Sequence, residues 1–249
     1  MAPTTLARPA PATHGGPPLA DDGAPGLLLP SAAEPRPRDP VGADEDGVPP
    51  LAHARALGRL VRRHEHWRLF PELRRAARYL DIETTGLDPR DPITVVGVSD
   101  GRTTCVLVRG LGLSTRALAG VLADARLLVT FNGTGFDLPR LQASFPGLPW
   151  DLPHFDLAVE GRQVGLGGGL KAVERTLGHV RPRELQGLGG LEAARLWRAY
   201  QGGDAAALRR LVRYCRADVE ALVALAPRIH ARLSRAADGD DGHLLTTGA

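Results

Sequence analysis

The segment Tyr79-Leu-Asp-Ile-Glu-Thr-Thr-Gly-Leu87 is the most informative stretch of the 249-residue chain. Side chains alternate along a β-strand, so Asp81 and Glu83 share one face of the predicted strand and the apolar residues beside them take the other. Two adjacent carboxylates on a central strand repel each other, and burial would raise their pKa values. A fold tolerates such a pair when a divalent cation neutralises it. Taken alone, however, the pair is more typical of an edge strand that carries two acids on its solvent-facing side.

Two further segments contain acids with characteristic companions. Phe131-Asn-Gly-Thr-Gly-Phe-Asp137 places Asp137 in the first turn of a predicted helix, where a carboxylate is also an ordinary partner of the helix dipole. Tyr214-Cys-Arg-Ala-Asp218 lies on a long C-terminal helix whose apolar residues have helical spacing. Tyr214 and Asp218 are four residues apart and are therefore neighbours on one flank of that helix. Each segment alone is compatible with an ordinary helix surface.

Together and in this order, the three segments resemble the motifs of the DEDD superfamily of exonucleases, and the tyrosine form of the third motif is typical of its DEDDy subgroup. The match is closest to the bacterial YprB-like, ribonuclease H-like family, in which the wording of residues 80–87 recurs. Segments similar to residues 155–157, 169–178 and 197–204 follow in that family. The resemblance covers about residues 79–225. Many members carry an asparagine in the third motif, where this chain has Cys215.

The resemblance implies hydrolysis of phosphodiester bonds with two divalent cations, Mg²⁺ or Mn²⁺, about 4 Å apart. Asp81 would serve both ions, and Asp137 would support one of them. Glu83 and Asp218 would complete the position at which water is activated. Tyr214 would orient that water, because an unperturbed tyrosine pKa of about 10 argues against a simple general base.

The same resemblance implies a pocket for the 3′ end of single-stranded DNA or RNA, from which 5′-mononucleotides are released. Asp156 is open to two interpretations, a fifth acid near the site or a capping residue at the edge of the core, and we favour the second. No organic cofactor is implied. The residues implied to contact the terminal nucleotide follow the first motif or belong to the second: Thr84, Thr85, Leu87, Asn132 and Phe136.

Two other functions stay open. One is a catalytically silent nucleic-acid-binding module on the same fold, although silent relatives usually lose a carboxylate and this chain retains four acids and the tyrosine. The other is a structure-specific endonuclease. The sequence does not distinguish DNA from RNA as the substrate, because that choice depends on a contact to the 2′-hydroxyl that no motif reports.

The composition sets weak limits on partners and location. The formal net charge is +3, so overall charge does not by itself indicate nucleic-acid binding. The arginines of residues 51–78 either contact phosphates or belong to a solvated helix face. Cys105 and Cys215 lie in apolar segments and are expected to be reduced, buried thiols of a cytoplasmic protein. No signal peptide is recognisable, and no stretch approaches the ~20 apolar residues of a membrane span.

The order of predicted elements indicates an α/β fold, namely a ribonuclease H-like mixed five-stranded sheet flanked by helices. Strands at 78–84, 93–99 and 103–108 form an antiparallel meander, and further strands are predicted at 127–131 and 154–157. Helices are predicted at 51–63, after Pro71, and at 114–125, 136–144, 170–177, 191–200 and 205–233, the last kinked or broken at Pro227.

Four parts are predicted along the chain. Residues 1–50 are rich in proline, glycine and alanine and lack apolar periodicity, so a disordered tail is expected there. A basic helical lead-in occupies residues 51–78. The ribonuclease H-like exonuclease domain occupies residues 79–235, and a flexible tail is expected at 236–249.

Overall fold

Five strands form one mixed sheet in the computed structural model, which describes residues 48–186 and 188–244. The strands are β1 (Ala77–Thr84), β2 (Ile93–Ser99), β3 (Thr104–Val108), β4 (Leu127–Thr130) and β5 (His154–Asp156). Their order across the sheet is β3-β2-β1-β4-β5. The first three strands pair antiparallel, as a meander requires, whereas β4 and β5 run parallel to β1. The prediction of an α/β fold with a mixed five-stranded sheet is confirmed.

Eight α-helices occur in the described ranges, and one of them, α5, is not predicted by the sequence pattern. Short 3-10 turns at Arg63–Leu69, Arg74–Ala76, Arg162–Val164 and Arg183–Leu185 connect some of them. The predicted disordered tail, apart from residues 48–50, lies outside the described residues. The helices are α1 (Leu51–Leu60), α2 (Phe70–Leu73), α3 (Thr115–Leu122), α4 (Asp137–Ser144), α5 (Leu157–Gly161), α6 (Leu170–Thr176), α7 (Gly190–Gln201) and α8 (Ala205–Leu244).

β1 is the middle strand of the sheet and has a different environment on each face. Leu80 and Ile82 pack into an apolar cluster with residues of α3 and α4. Tyr79 packs on the other face, in a cluster that includes residues of α8. Asp81 and Glu83 share the face of Tyr79, because strand side chains alternate. The alternative of two acids on an exposed edge strand is therefore excluded.

Gly97 of β2 allows α8 to lie close to the sheet. It is opposite Asp81 in the strand register. A Cβ atom at Gly97 would lie 2.7 Å from Cγ2 of Val219 and 2.8 Å from Sγ of Cys215, closer than side chains approach in real structures. The lack of a side chain at this position thus lets α8 pass directly over the strand pair that carries the acids.

α8 runs without a break from residue 205 to residue 244, so of the predicted kink or break at Pro227 the break is wrong. Proline removes one backbone donor and crowds the preceding turn. Ala226 and Ile229 beside it are fully buried, and the packing of this apolar face stabilises the helix across the proline. The helix also continues past residue 235, through residues 236–244, where the sequence predicts a flexible tail.

The basic lead-in is part of the core. Trp67 and Leu73 are buried in the same apolar cluster as α8. Just before α1, the carbonyl of Pro49 accepts a hydrogen bond from Nε of Arg126 at 2.7 Å. Arg126 immediately precedes β4 and therefore lies at the edge of the sheet where the parallel strands β1 and β4 begin. The two acids of β1 lie toward the opposite edge, where β1 ends. α1 therefore lies at the opposite end of the sheet from the acids, which favours a solvated face for its arginines.

Both cysteines are free thiols, as predicted. Cys215 is fully buried, but the prediction of a buried Cys105 is wrong, because this residue is only half-buried. Cys105 lies on β3, which is an edge strand and therefore has one unpaired side. No helix within the described ranges has both the length and the apolar character required to cross a membrane.

Candidate metal centre

Asp81, Glu83 and Cys215 converge where α8 crosses β1. One potential ligand atom from each, a carboxylate oxygen or the cysteine sulfur, lies within 4.8 Å of the other two. Glu83 and Cys215 are buried, and Asp81 is half-buried. The alternation of β1 brings the two acids together, and the close approach of α8 adds the thiol.

Asp137 is attached directly to the strand that carries the two acids. It is the first residue of α4 and is 3% exposed. Its Oδ1 accepts a hydrogen bond from the backbone N–H of Ile82, which lies between the acids, at 3.1 Å. Burial raises the pKa of Asp137 to about 7, while the hydrogen bond from Ile82 acts in the opposite direction. The carboxylate is therefore a member of the buried acid group and more than a partner of the helix dipole.

Asp218 reaches the same group from α8. After burial, the charge of Asp218 is the largest cause that raises the pKa of Asp81 well above the usual carboxyl range. Burial and then the charge of Asp218 are likewise the two largest causes that raise the pKa of Glu83 well above the usual carboxyl range. Arg181 forms an ion pair with Asp218 and counteracts the rise that burial causes in the pKa of Asp218. The four predicted acids thus form one group, in which Glu83, Asp137 and Asp218 are buried and Asp81 is half-buried.

The hydroxyl of Tyr214 faces these acids. Nζ of Lys171 donates a hydrogen bond to this hydroxyl at 3.2 Å and lies 4.8 Å from the centroid of the ring. Burial, followed by the charges of Asp218 and Glu83, raises the pKa of Tyr214 far above its ordinary value. The hydroxyl therefore stays protonated near neutral pH, where it can orient a polar group but does not act as a base.

The acid group has an unsatisfied oxygen that a cation would satisfy. Among the residues that the structure describes, Oε1 of Glu83 is buried without a hydrogen-bond partner. Such a buried acceptor costs about 1–3 kcal/mol. A divalent cation would provide the missing partner and neutralise the repulsion among the acids, and carboxylate oxygens suit Mg²⁺ and Mn²⁺. The residues present therefore fit the cations that the sequence implies.

Sequence reasoning missed the ion pair that supports Asp218. Arg181 and Glu174 are both buried and form a two-pronged contact, with Nε–Oε2 at 2.7 Å and Nη2–Oε1 at 2.5 Å. Glu174 and Lys171 belong to the segment 169–178, whose similarity to the YprB-like family could have indicated them. Arg181 lies beyond that segment in an irregular loop, where no periodic pattern reports a contact.

The loop after β1 is organised around Asp91. Oγ1 of Thr85 donates to Oδ1 of Asp91 at 3.4 Å, and a Cβ atom at Gly86 would lie 2.5 Å from Oδ2 of the same residue. Thr84 is buried, and its hydroxyl donates to the carbonyl of Gly86 at 2.5 Å. Both threonine hydroxyls are thus engaged within the loop. Leu87, which is 71% exposed, presents an apolar side chain to solvent from this loop.

Arg140 connects this loop to the second motif. Its Nη2 donates to the carbonyl of Leu87 at 2.7 Å, and its Nη1 donates to the carbonyl of Phe136 at 3.1 Å. The guanidinium also lies 3.7 Å from the centroid of the Phe136 ring, a cation–π contact. Leu87 and Phe136, which are both predicted substrate contacts, are brought together by this one buried side chain.

Asp156 has a structural role, in agreement with the favoured interpretation. Its carboxylate accepts backbone hydrogen bonds from Asn132 at 2.7 Å and Thr134 at 2.9 Å, and it caps α5 through the N–H of Ala158 at 3.1 Å. These bonds hold the glycine-containing turn that precedes α4, in which Asn132 adopts a φ of 63°. The side chain of Asn132 is exposed at the surface of this turn.

Glu160 on α5 is a further buried acid. It is 2% exposed, and within the described part of the chain its Oε2 has no hydrogen-bond partner. Burial is the main cause that raises the pKa of Glu160 to about 8, and the charge of Asp156 acts in the same direction. Glu160 is therefore protonated in the folded protein at a pH where a solvated glutamate is ionised.

These features define a class of protein. A mixed sheet whose central strand carries two acids, completed by acids from the helices that follow, is a ribonuclease H-like architecture with a cluster of carboxylates that could hold metal ions. A family model described as the RNase H superfamily matches residues 78–230, which is more than half of the chain. The chain therefore belongs to the RNase H superfamily.

Two solved structures are similar to this chain. A family B DNA polymerase from the hyperthermophilic archaeon Pyrobaculum calidifontis is 23% identical, with a TM-score of 0.50 over 61% of this chain and 24% of the polymerase. Escherichia coli RNase D, an exoribonuclease involved in structured RNA processing, is 16% identical, with a TM-score of 0.46 over 69% of this chain and 44% of RNase D. The matched region spans less than half of either protein. A comparison with curated proteins gives no match.

Proposed function

We propose that this protein is a metal-dependent 3′→5′ exonuclease of the DEDDy type, most similar to the YprB-like family, that acts on single-stranded DNA or RNA. The observation that carries the proposal is the convergence of four acids from three separate segments beside the hydroxyl of Tyr214. Burying four acids together is costly unless a cation compensates them, so a purely structural role does not account for the group.

The four acids would hold two divalent cations, Mg²⁺ or Mn²⁺. Asp81 would serve both ions, Asp137 would support one, and Glu83 and Asp218 would complete the position for water. When bound, such cations activate water and stabilise the negative charge that develops on the phosphate. Arg181, held in place by Glu174, would keep the carboxylate of Asp218 directed into the site.

Tyr214 would orient the attacking water through its protonated hydroxyl, and Lys171 would fix the position of that hydroxyl through the 3.2 Å hydrogen bond. Hydrolysis of the last phosphodiester bond would leave the phosphate on the released nucleotide, so the product would be a 5′-mononucleotide. Cleavage from the 3′ end requires that the terminal nucleotide lie beside the acids, and the loop after β1 and the turn before α4 are the elements that border them.

The terminal nucleotide would contact side chains on these two elements. Leu87 would provide apolar contact, and Phe136 would provide a ring face for a base, since stacking on an aromatic side chain is tolerant of sequence. Asn132, which is exposed, would add a polar contact. Thr84 and Thr85 would contribute through their backbone, because their hydroxyls are engaged within the loop.

Incubation with 5′-labelled single-stranded DNA and RNA, in Mn²⁺ or in EDTA, tests this function. A ladder that shortens from the 3′ end only in Mn²⁺ is the expected result, and the polymer degraded faster identifies the substrate. Asp81→Asn should abolish the ladder, because it removes a charged ligand at little change in volume. Asp124→Asn, at an exposed residue after α3, is the control and should leave the ladder unchanged. Full activity of Asp81→Asn would overturn the proposal.

Two other results would indicate the alternative functions. Equal affinity for single-stranded nucleic acid in Mn²⁺ and in EDTA, with no mononucleotide released, would indicate a silent binding module. Cleavage of a substrate whose 3′ end is chemically blocked would indicate an endonuclease.

A further inference from the structure

Cys215 lies at the metal centre and is a different kind of ligand from its neighbours. Its Sγ and carboxylate oxygens of Asp81 and Glu83 lie within 4.8 Å of one another. The sulfur reaches this position because α8 passes over Gly97, which has no side chain. The thiol is fully buried, so it faces the acids and the sheet and is not in contact with solvent.

A second observation points to a ligand at the same place. The side chain of Glu83 is buried, with only 6% of the residue exposed, and its Oε1 has no hydrogen-bond partner among the described residues. A thiol is a weak donor and does not compensate a buried carboxylate oxygen well. A cation bound between the oxygen and the sulfur would satisfy both groups at once.

The distances are compatible with one bound ion. Zinc bonds are about 2.3 Å to cysteine sulfur and about 2.0–2.2 Å to carboxylate oxygen, so two ligand atoms on one tetrahedral zinc ion are roughly 3.4–3.6 Å apart. The three ligand atoms of Asp81, Glu83 and Cys215 lie within 4.8 Å of one another, and side-chain rotations that move them by up to about 1 Å would bring them into range. Three protein ligands and one open position form a common zinc arrangement.

Simple packing is the competing explanation for Cys215. A free cysteine often behaves as a small apolar residue, and a small residue is required opposite Gly97. Packing does not, however, explain why the sulfur is placed against two acids, one of which has an unsatisfied oxygen. Sulfur is a soft ligand that favours zinc, cadmium and cobalt over magnesium, whereas a site made only of carboxylates favours the hard cations.

We propose that Asp81, Glu83 and Cys215 form a mixed carboxylate–thiolate site that takes a thiophilic divalent cation, Zn²⁺ in particular, in competition with Mg²⁺ or Mn²⁺. On binding, the sulfur forms a bond to the cation and the thiol proton passes to solvent, with no change of oxidation state. The ion occupies carboxylates that the proposed hydrolysis requires, so Zn²⁺ inhibits that reaction. Only this inhibition rests on the proposed function; the binding of the cation does not.

Cobalt titration of the full chain tests the proposal, because Co²⁺ bound to a thiolate gives a charge-transfer band in the near ultraviolet. The wild type should show this band, Zn²⁺ should remove it, and Mg²⁺ should remove it only at a far higher concentration than Zn²⁺. Cys215→Ser should lack the band. The chain has only one other cysteine, so Cys105→Ser is a matched control and should keep the band. Zn²⁺ affinity of Cys215→Ser should fall at least roughly tenfold, as expected when a metal site loses a supporting group.

The outcomes separate this proposal from the proposed function. Absence of the band in the folded wild type, or its persistence in Cys215→Ser, would overturn the sulfur site. If Cys215→Ser does not fold, as judged by circular dichroism, Cys215→Ala takes its place and the same criteria apply. A band without any hydrolysis would remove the exonuclease and leave the sulfur site standing, whereas hydrolysis without a band would do the reverse.

Discussion

Replacing Gly97 with alanine should damage the metal centre through the packing of α8. The added Cβ would lie 2.7 Å from Cγ2 of Val219 and 2.8 Å from Sγ of Cys215, whereas ordinary contacts begin near 3.4 Å. Both contacting side chains are buried on the same helix, so α8 and the sheet must separate locally by several tenths of an ångström. The displaced helix segment carries Tyr214 and Asp218.

The size of the effect follows from this overlap. Overpacking a well-filled core typically costs about 1–3 kcal/mol. A protein of this size loses roughly 2–4 °C in melting temperature for each kcal/mol. Hydrolysis should fall by up to roughly 100-fold, because a shift of catalytic groups by about 1 Å has that consequence. Thermal melts followed by circular dichroism and the 3′-end assay measure the two effects separately.

Gly120→Ala is the matched control for Gly97→Ala. Gly120 lies within α3, and a Cβ atom there would have no heavy atom within 4 Å. Alanine at this helical position should stabilise the fold by up to about 1 kcal/mol and leave hydrolysis unchanged. Wild-type stability together with wild-type activity in Gly97→Ala would show that the position of α8 does not depend on this close approach, contrary to the prediction.

Three further predictions concern single side chains. Arg140→Met should raise KM for single-stranded substrate by about tenfold with little change in kcat, because the lost hydrogen bonds hold the two sides of the pocket; steady-state kinetics that show only a fall in kcat would contradict this. Tyr214→Phe should lower kcat by roughly 100-fold and leave Mn²⁺ affinity unchanged, as measured by single-turnover hydrolysis and metal titration; an equal loss of both would indicate a structural role. Glu160→Gln should flatten the pH dependence of stability. The folded-state pKa of Glu160, about 8, exceeds the ordinary value of 4.5, so the folded state binds the proton more tightly and the wild type loses stability as pH rises between these values. Between about pH 5 and about pH 9, the free energy of unfolding of the wild type should fall by up to about 5 kcal/mol more than that of the variant. Urea unfolding at both pH values measures this difference, and an equal pH dependence in the two proteins would contradict the prediction.

Strand alternation is the part of the site that the sequence predicts by itself. The period of two places Asp81 and Glu83 on one face whatever the strand packs against, and the structure has this arrangement. Their meeting with Asp137 and Asp218 depends on the topology. The sequence predicts it only through the order and companions of the three motifs, because no local pattern relates residues so far apart in the chain.

Other features depend on tertiary packing and have no sequence signal. Arg181 reaches Asp218 from an irregular loop, and its partner Glu174 is identifiable only once the fold is known. Cys215 has the spacing of a core residue on the apolar stripe of α8, yet the gap at Gly97 brings its sulfur to the acids. Continuation of α8 through Pro227 has the same origin, since burial outweighs the helix-breaking tendency of proline.

The number of Mn²⁺ ions bound per chain tests the central claim, that the four acids form one metal centre. Titration calorimetry or electron paramagnetic resonance without nucleic acid measures it for the wild type, Asp81→Asn and the surface control Asp124→Asn. We expect about two ions in the wild type and in the control, and loss of at least one ion in Asp81→Asn. Equal Mn²⁺ binding by the wild type and Asp81→Asn, or no binding by the folded wild type, would contradict it.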